Sequence, residues 1–183
     1  MKAAILPLVA LVAACSSEPA VVNVVGAAND NTSPQRSLVY DGADMLSDAA
    51  EERLRRRILD LEAATGDELF VWTTPSLEGQ TIEAYSLNLG RSLGIGKPEL
   101  DNGILFVVAR DERRLRIEVG SGLEGLLTDV AAGRIIRRTI EPAFRDGEFE
   151  RGFEEGADVI ADLLEEDPVR PRYRSEVRRR AAQ

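Results

Sequence analysis

Three short acidic connections hold the side chains best suited to chemistry. They are Tyr40-Asp41-Gly42-Ala43-Asp44, Leu100-Asp101-Asn102-Gly103, and Gly120-Ser121-Gly122-Leu123-Glu124 with its continuation Thr128-Asp129. Carboxylates that converge repel one another unless a proton, an arginine or a cation intervenes. Calcium and magnesium take oxygen ligands from carboxylates, hydroxyls, backbone carbonyls and water, and the neighbouring glycines leave carbonyls free to turn inward. The chain has no histidine. A Ser-His-Asp triad, a Cys-His pair and a His-bearing zinc site are therefore excluded. Gly120-Ser121-Gly122 lacks the lysine and hydroxyl residue of a phosphate-binding P-loop. Gly94-Ile95-Gly96 follows a helical pattern rather than a strand, so it is no dinucleotide fingerprint.

The elements that position these loops follow from periodicity. Ser47 is a helix N-cap, and Leu54, Ile58 and Leu61 recur at helical spacing until Thr65-Gly66-Asp67. Residues 68–74 form an apolar run consistent with a strand covered on both faces. Ile82, Tyr85, Leu89 and Leu93 mark a second helix. Residues 103–109 are the most hydrophobic segment after the N-terminal stretch and read as the central strand. Strand, helix, strand implies parallel pairing through a right-handed crossover. Asp111-Glu112 then reverses the chain into a strand in which Leu115, Ile117 and Val119 alternate with charged residues.

Thr128 caps a helix holding Val130, Ile135, Ile136 and Ile140, with Pro142 at its end. A final helix spans about Phe149 to Leu164. The prediction is an α/β three-layer sandwich, a mixed and mostly parallel sheet of about four strands with helices on both faces. In such a hairpin the entry of the strand at Gly103 lies beside the exit of its partner near Gly120. Asp101 then meets Glu124 or Asp129. The plainer alternative stays open: Asp101-Asn102-Gly103 is a turn, Asp129 favours the positive end of its helix, and Glu124 is solvated. Arg134 and Arg137 either bind an anion or solvate their helix.

The ends of the chain differ from its middle. Residues 1–14 have a positive start, a short apolar core and small residues before Cys15, the pattern of an export signal. Val12-Ala13-Ala14-Cys15 resembles the lipobox of bacterial lipoproteins, which implies cleavage before Cys15 and acylation of that residue. Cys15 is then a membrane anchor, and residues 15–37 are a lipidated, flexible tether. Ser16 and Ser17 follow without a retention charge, and the resemblance to known lipoproteins then implies the outer membrane rather than the inner, facing the periplasm. Residues 168–183 are a basic tail with Arg170, Arg172, Arg174, Arg178, Arg179 and Arg180. The tail reads either as disordered or as a contact for anionic headgroups. A net charge of −9 argues against a nucleic-acid partner.

Several motifs together resemble the TPM-domain family. They are Val39-Tyr40-Asp41 with Leu46, Gly94-Ile95-Gly96 with residues 101–105, residues 117–125 with Leu127-Thr128-Asp129, and Gly133-Arg134-Ile135-Ile136 before Pro142-Ala143-Phe144 and Gly147. The domain assigned on this basis is 38–167. The resemblance implies a mixed-sheet sandwich with an acidic groove, bound calcium or magnesium, and an interaction or maintenance role in the envelope. A metal-dependent acid phosphatase is the alternative. Matched by motif, Asp41, Asp101, Glu124 and Asp129 are the metal-site candidates. Ser121 stands where many members carry a tyrosine, which weakens a shared catalytic mechanism. An envelope protein is the expected partner and a monomer the expected state.

Overall fold

The computed structural model describes residues 37–166. The signal segment, Cys15, the tether up to residue 36 and the basic tail lie outside the described residues. Four strands form one sheet in the order β1-β2-β3-β4: β1 (Val39–Asp41), β2 (Glu68–Thr74), β3 (Gly103–Ala109) and β4 (Arg114–Val119). The first three are parallel and β4 pairs antiparallel with β3. Val39-Tyr40-Asp41 is itself the first strand, too short to show a period of its own.

The helices cover both faces, so the three-layer α/β sandwich is present. α1 (Asp48–Thr65) begins where Ala50 N donates to the Ser47 hydroxyl at 3.3 Å and ends at Gly66 in the left-handed region. α2 (Ile82–Leu93) starts at Thr81. α3 (Asp129–Ile135) leads into a π turn (Ile136–Ile140), α4 (Glu141–Arg145) and, after a short break, α5 (Phe149–Glu165). Alternation along the strands divides the core. Leu69, Val71, Ile104, Phe106, Val108 and Ile117 face α1, α5 and the α3 run. Phe70, Trp72, Leu105, Val107 and Ala109 face α2. Both central strands are buried on both sides, which is why each reads as an unbroken apolar run.

One feature departs from a general rule, and one expectation needs correction. α1 and α2 lie on opposite faces, yet β1→β2 and β2→β3 step in the same direction across the sheet. The two crossovers therefore have opposite hands, and the right-handed rule holds for only one of them. Pro142 does not end its helix either. The Glu141 N–H reaches back to Ile136 O, five residues away, and this wider turn resets the hydrogen-bond frame. Pro142 then falls in the first turn of α4, where a missing N–H costs nothing.

α1 and α5 pack through Leu54, Ile58, Ala157, Ile160 and Leu164. Gly156 lets α5 approach the π turn, since a Cβ there would lie 2.8 Å from Ile140 Cγ1 and 3.2 Å from Phe106 Cε1. Across the solvent edge of this seam, Arg57 pairs with Asp158, Asp162 and Glu165 at 3.0, 2.9 and 2.7 Å.

Candidate functional site

The first strand delivers Asp41 to the carboxyl end of the parallel strands, beside Thr73. Open α/β sheets usually bind ligands at this end. The Asp41 carboxylate is already engaged there. Its Oδ2 accepts from Met45 N and Leu46 N, both at 2.8 Å, and its Oδ1 accepts from the Thr73 hydroxyl. It closes the loop between β1 and α1. Burial, and then the nearby negative Asp41, raises the pKa of Glu51 on α1.

Asp101 lies at the other end of the sheet. Along the pairing register, Asp41 sits level with Thr73 and Val108, whereas Asp101 precedes Gly103, the first residue of β3. Five residue steps separate Gly103 from Val108, about 16 Å of extended strand. Asp41 and Asp101 therefore do not share a site.

Asp101 and the loop after β4 do come together. Gly120 N donates to Gly103 O at 2.8 Å, and Gly122 N donates to Asp101 O at 3.1 Å. The Ser121 hydroxyl donates to Asp101 Oδ2 at 2.7 Å. A Cβ on Gly120 would stand 2.1 Å from Asp101 O, and one on Gly122 1.8 Å from Leu100 O. Only glycine permits so close a backbone crossing. Asp101 itself has φ +47°, a left-handed conformation that aspartate tolerates better than most residues.

From this crossing the chain turns inward through the fully buried Leu123 and Leu127 and reaches Thr128. The Thr128 hydroxyl accepts from Ala131 N at 3.2 Å and starts α3. Asp129 occupies the first turn, where the helix dipole favours an acid. Asp101, Glu124 and Asp129 are all exposed. The donors at this end are carboxylates, a hydroxyl and carbonyls, the chemistry that hard cations use. Among the described residues no three Asp, Glu, His or Cys side chains gather closely enough to form a metal cage. The donors fit a cation in kind but fall short in number, so water would have to supply much of its coordination.

The residue that organises this end went unnoticed in the sequence as more than part of a turn. Asn102 is buried, and its amide nitrogen donates to Gly66 O at 2.8 Å and Asp67 Oδ1 at 3.2 Å. Its amide oxygen accepts from Lys97 N at 3.0 Å, and Lys97 Nζ donates to Gly66 O at 2.7 Å. Asn102 thus ties the α1–β2 turn to the loop that carries Asp101. An asparagine before glycine also reads as an ordinary turn, so nothing local distinguished it.

A separate open hollow of about 720 Å³ lies between α1 and the start of α5, lined by Met45, Arg53, Glu148, Phe149, Glu150 and Arg151 among others. None of the four predicted carboxylates lines it. Its charged groups largely satisfy one another: Arg53 meets Glu150 and Glu154, and Arg151 meets Glu148 and Glu155.

The model of the TPM domain matches residues 39–163. The chain belongs to the TPM-domain family. The solution structure of the N-terminal domain of a P. gingivalis protein is 38% identical, with a TM-score of 0.66 over 70% of this chain and 82% of that one. BA42 from the psychrophilic Bizionia argentinensis shares 21% identity and a TM-score of 0.59, over 67% of this chain and 83% of its own. The N-terminal domain of cg2496 from Corynebacterium glutamicum shares 16% identity and a TM-score of 0.57, over 75% and 86%. These last two likenesses speak to the fold of the TPM domain alone. Among curated proteins none matches the chain. No helix of the described TPM domain is long and apolar enough to cross a membrane.

Proposed function

We propose that this protein is an envelope lipoprotein whose TPM domain is an interaction module, contacting its partner through the Asp101–Asp129 end of the sheet with a divalent cation between them. The observation that supports it is the crossing of the 100–101 backbone over Gly120 and Gly122. It presents Asp101 and Ser121 together at the same end as Glu124 and Asp129. Asp101 and Asp129 would hold the cation, and Glu124 would lie close enough to tune its charge. Asp41 has no part in it, because its oxygens hold the β1–α1 loop. A cation so sparsely held by one protein would be completed by ligands from water or from the partner, which makes the contact cation-dependent. The Cys15 lipid would keep the module at the membrane.

Calorimetry on the full chain carrying Cys15→Ser, which removes the acylation site, tests the cation. Calcium or magnesium uptake is expected, and the further pair Asp101→Asn and Asp129→Asn should abolish it. Uptake unchanged in that variant, or no uptake by its parent, overturns the reading.

A further inference from the structure

Arg134, Arg137 and Arg138 stand together on the run from α3 into the π turn, and all three are exposed. None of their side chains makes a hydrogen bond or ion pair with any described residue. Most arginines of the domain behave otherwise. Arg53, Arg57 and Arg151 each meet two or three carboxylates. The side chains of Arg91, Arg113 and Arg114 also lack a hydrogen bond or ion pair, but Arg91 stands alone on its helix and Arg113-Arg114 lie beside Asp111 and Glu112 where the β3–β4 turn enters β4. The chain has 32 acidic residues against 23 basic ones, so a strip of three unneutralised cations runs against its overall composition.

Two neighbours give this strip its shape. A Cβ on Gly133 would lie 2.9 Å from Arg137 Nη1, so the Arg137 side chain lies back across the glycine, as helical side chains lean toward the N-terminus. Glycine inside a helix is disfavoured relative to alanine. Here its missing side chain leaves room for a flat guanidinium on the helix surface. Val130 is 67% exposed, the most of any large apolar side chain described. It stands four residues before Arg134, and Arg137 and Arg138 follow by three and four, which places all of them on one side of the helix.

We infer that this face docks the domain onto an anionic phospholipid surface. The arginines pair with headgroup phosphates, which match the planar fork of a guanidinium. Val130 enters the boundary between headgroups and acyl chains. An acidic protein would attract the same cations and could cover a valine as well, so it is made an outcome of the test. Unpaired arginines beside an apolar side chain share with interfacial helices the pairing of charge attraction and apolar contact that holds them at an anionic lipid surface. The inference does not depend on a cation at Asp101, and its test is run in chelator to keep the two apart.

The test uses the full chain with Cys15→Ser, phosphatidylcholine vesicles with or without phosphatidylglycerol, low salt and EDTA. The parent should bind only the anionic vesicles. Arg134→Gln should weaken binding roughly fivefold, and Arg134→Gln/Arg137→Gln/Arg138→Gln on the order of a hundredfold. Val130→Ser should weaken it too, and that loss should persist at a salt concentration that masks charge. Circular dichroism and melting of every variant should match the parent. Two outcomes overturn the inference. In one, the triple variant binds as the parent does, which assigns the attraction to the arginine-rich tail. In the other, the parent ignores the vesicles while a polyglutamate matrix retains it and not the triple variant, which assigns the face to an acidic protein.

Discussion

Asp41 shows how a side chain can have the right chemistry and still be committed elsewhere. Its motif placed it with the metal-site candidates, but its two oxygens meet three donors, two in its own loop and one on the neighbouring strand β2. Removing them leaves the N–H groups of Met45 and Leu46 without an acceptor in a partly buried turn. Asp41→Ala should therefore cost roughly 1–3 kcal/mol of stability, read as a lowered urea midpoint, while calcium uptake by the folded protein is unchanged. Uptake lost along with an intact fold would return Asp41 to the site. The sequence could not show this, because two of the three partners are backbone groups, which carry no signature of residue type, and the third, Thr73, is 32 residues away. Asn102 was hidden for the same reason: two of its partners are the carbonyl of Gly66 and the N–H of Lys97.

At the scale of elements, most of the architecture was legible. Ser47 and Thr128 announced two helix starts, and the runs at 68–74 and 103–109 announced two buried strands. A period of two or 3.6 residues is a local property, so it survives in sequence. The π turn does not, since it depends on how Ile136 and Ile140 settle against α5 rather than on a local repeat. β1 escaped because three residues are too few to alternate. Gly156 belongs here as well. It reads as a weak spot in an otherwise good helix, but it is the point where α5 meets the π turn. Gly156→Ala should gain helix propensity and still lose roughly 1–3 kcal/mol through overpacking against Ile140 and Phe106. Thermal melts decide it, and a raised midpoint would show that the seam can relax.

For the whole molecule, the adjacency of the β3 entry and the β4 exit was deducible from the hairpin, and the backbone crossing at Gly120 and Gly122 realises it. The placement of Asp41 at the opposite end was equally implicit in a parallel β1, but only once β1 was recognised as a strand. Acid sensitivity also belongs to this scale. Hydrogen bonds from Ser76 and Leu77 lower the pKa of Glu112, and those from Ser47 lower that of Glu150. Their folded values lie below the unfolded ones, so each stabilises the fold above the ordinary glutamate range and loses that contribution as pH falls through its depressed folded value. Glu51 has the opposite sign, because its raised value makes ionisation weigh against folding as pH rises. Urea midpoints measured from neutral to acid pH should drop less steeply in Glu112→Gln/Glu150→Gln than in the parent. Parallel curves would show that other carboxylates set the slope.

The two margins of the sheet have a further consequence. Among the described residues β1 is an edge strand of only three residues, and β4 carries Arg114, Arg116 and Glu118 on the face toward α2. A strand from another molecule would find little to ladder onto at one border and charges in its way at the other. Molecules crowded side by side would thus resist the creeping strand addition that seeds fibrils, and could stay separate without needing distance between them.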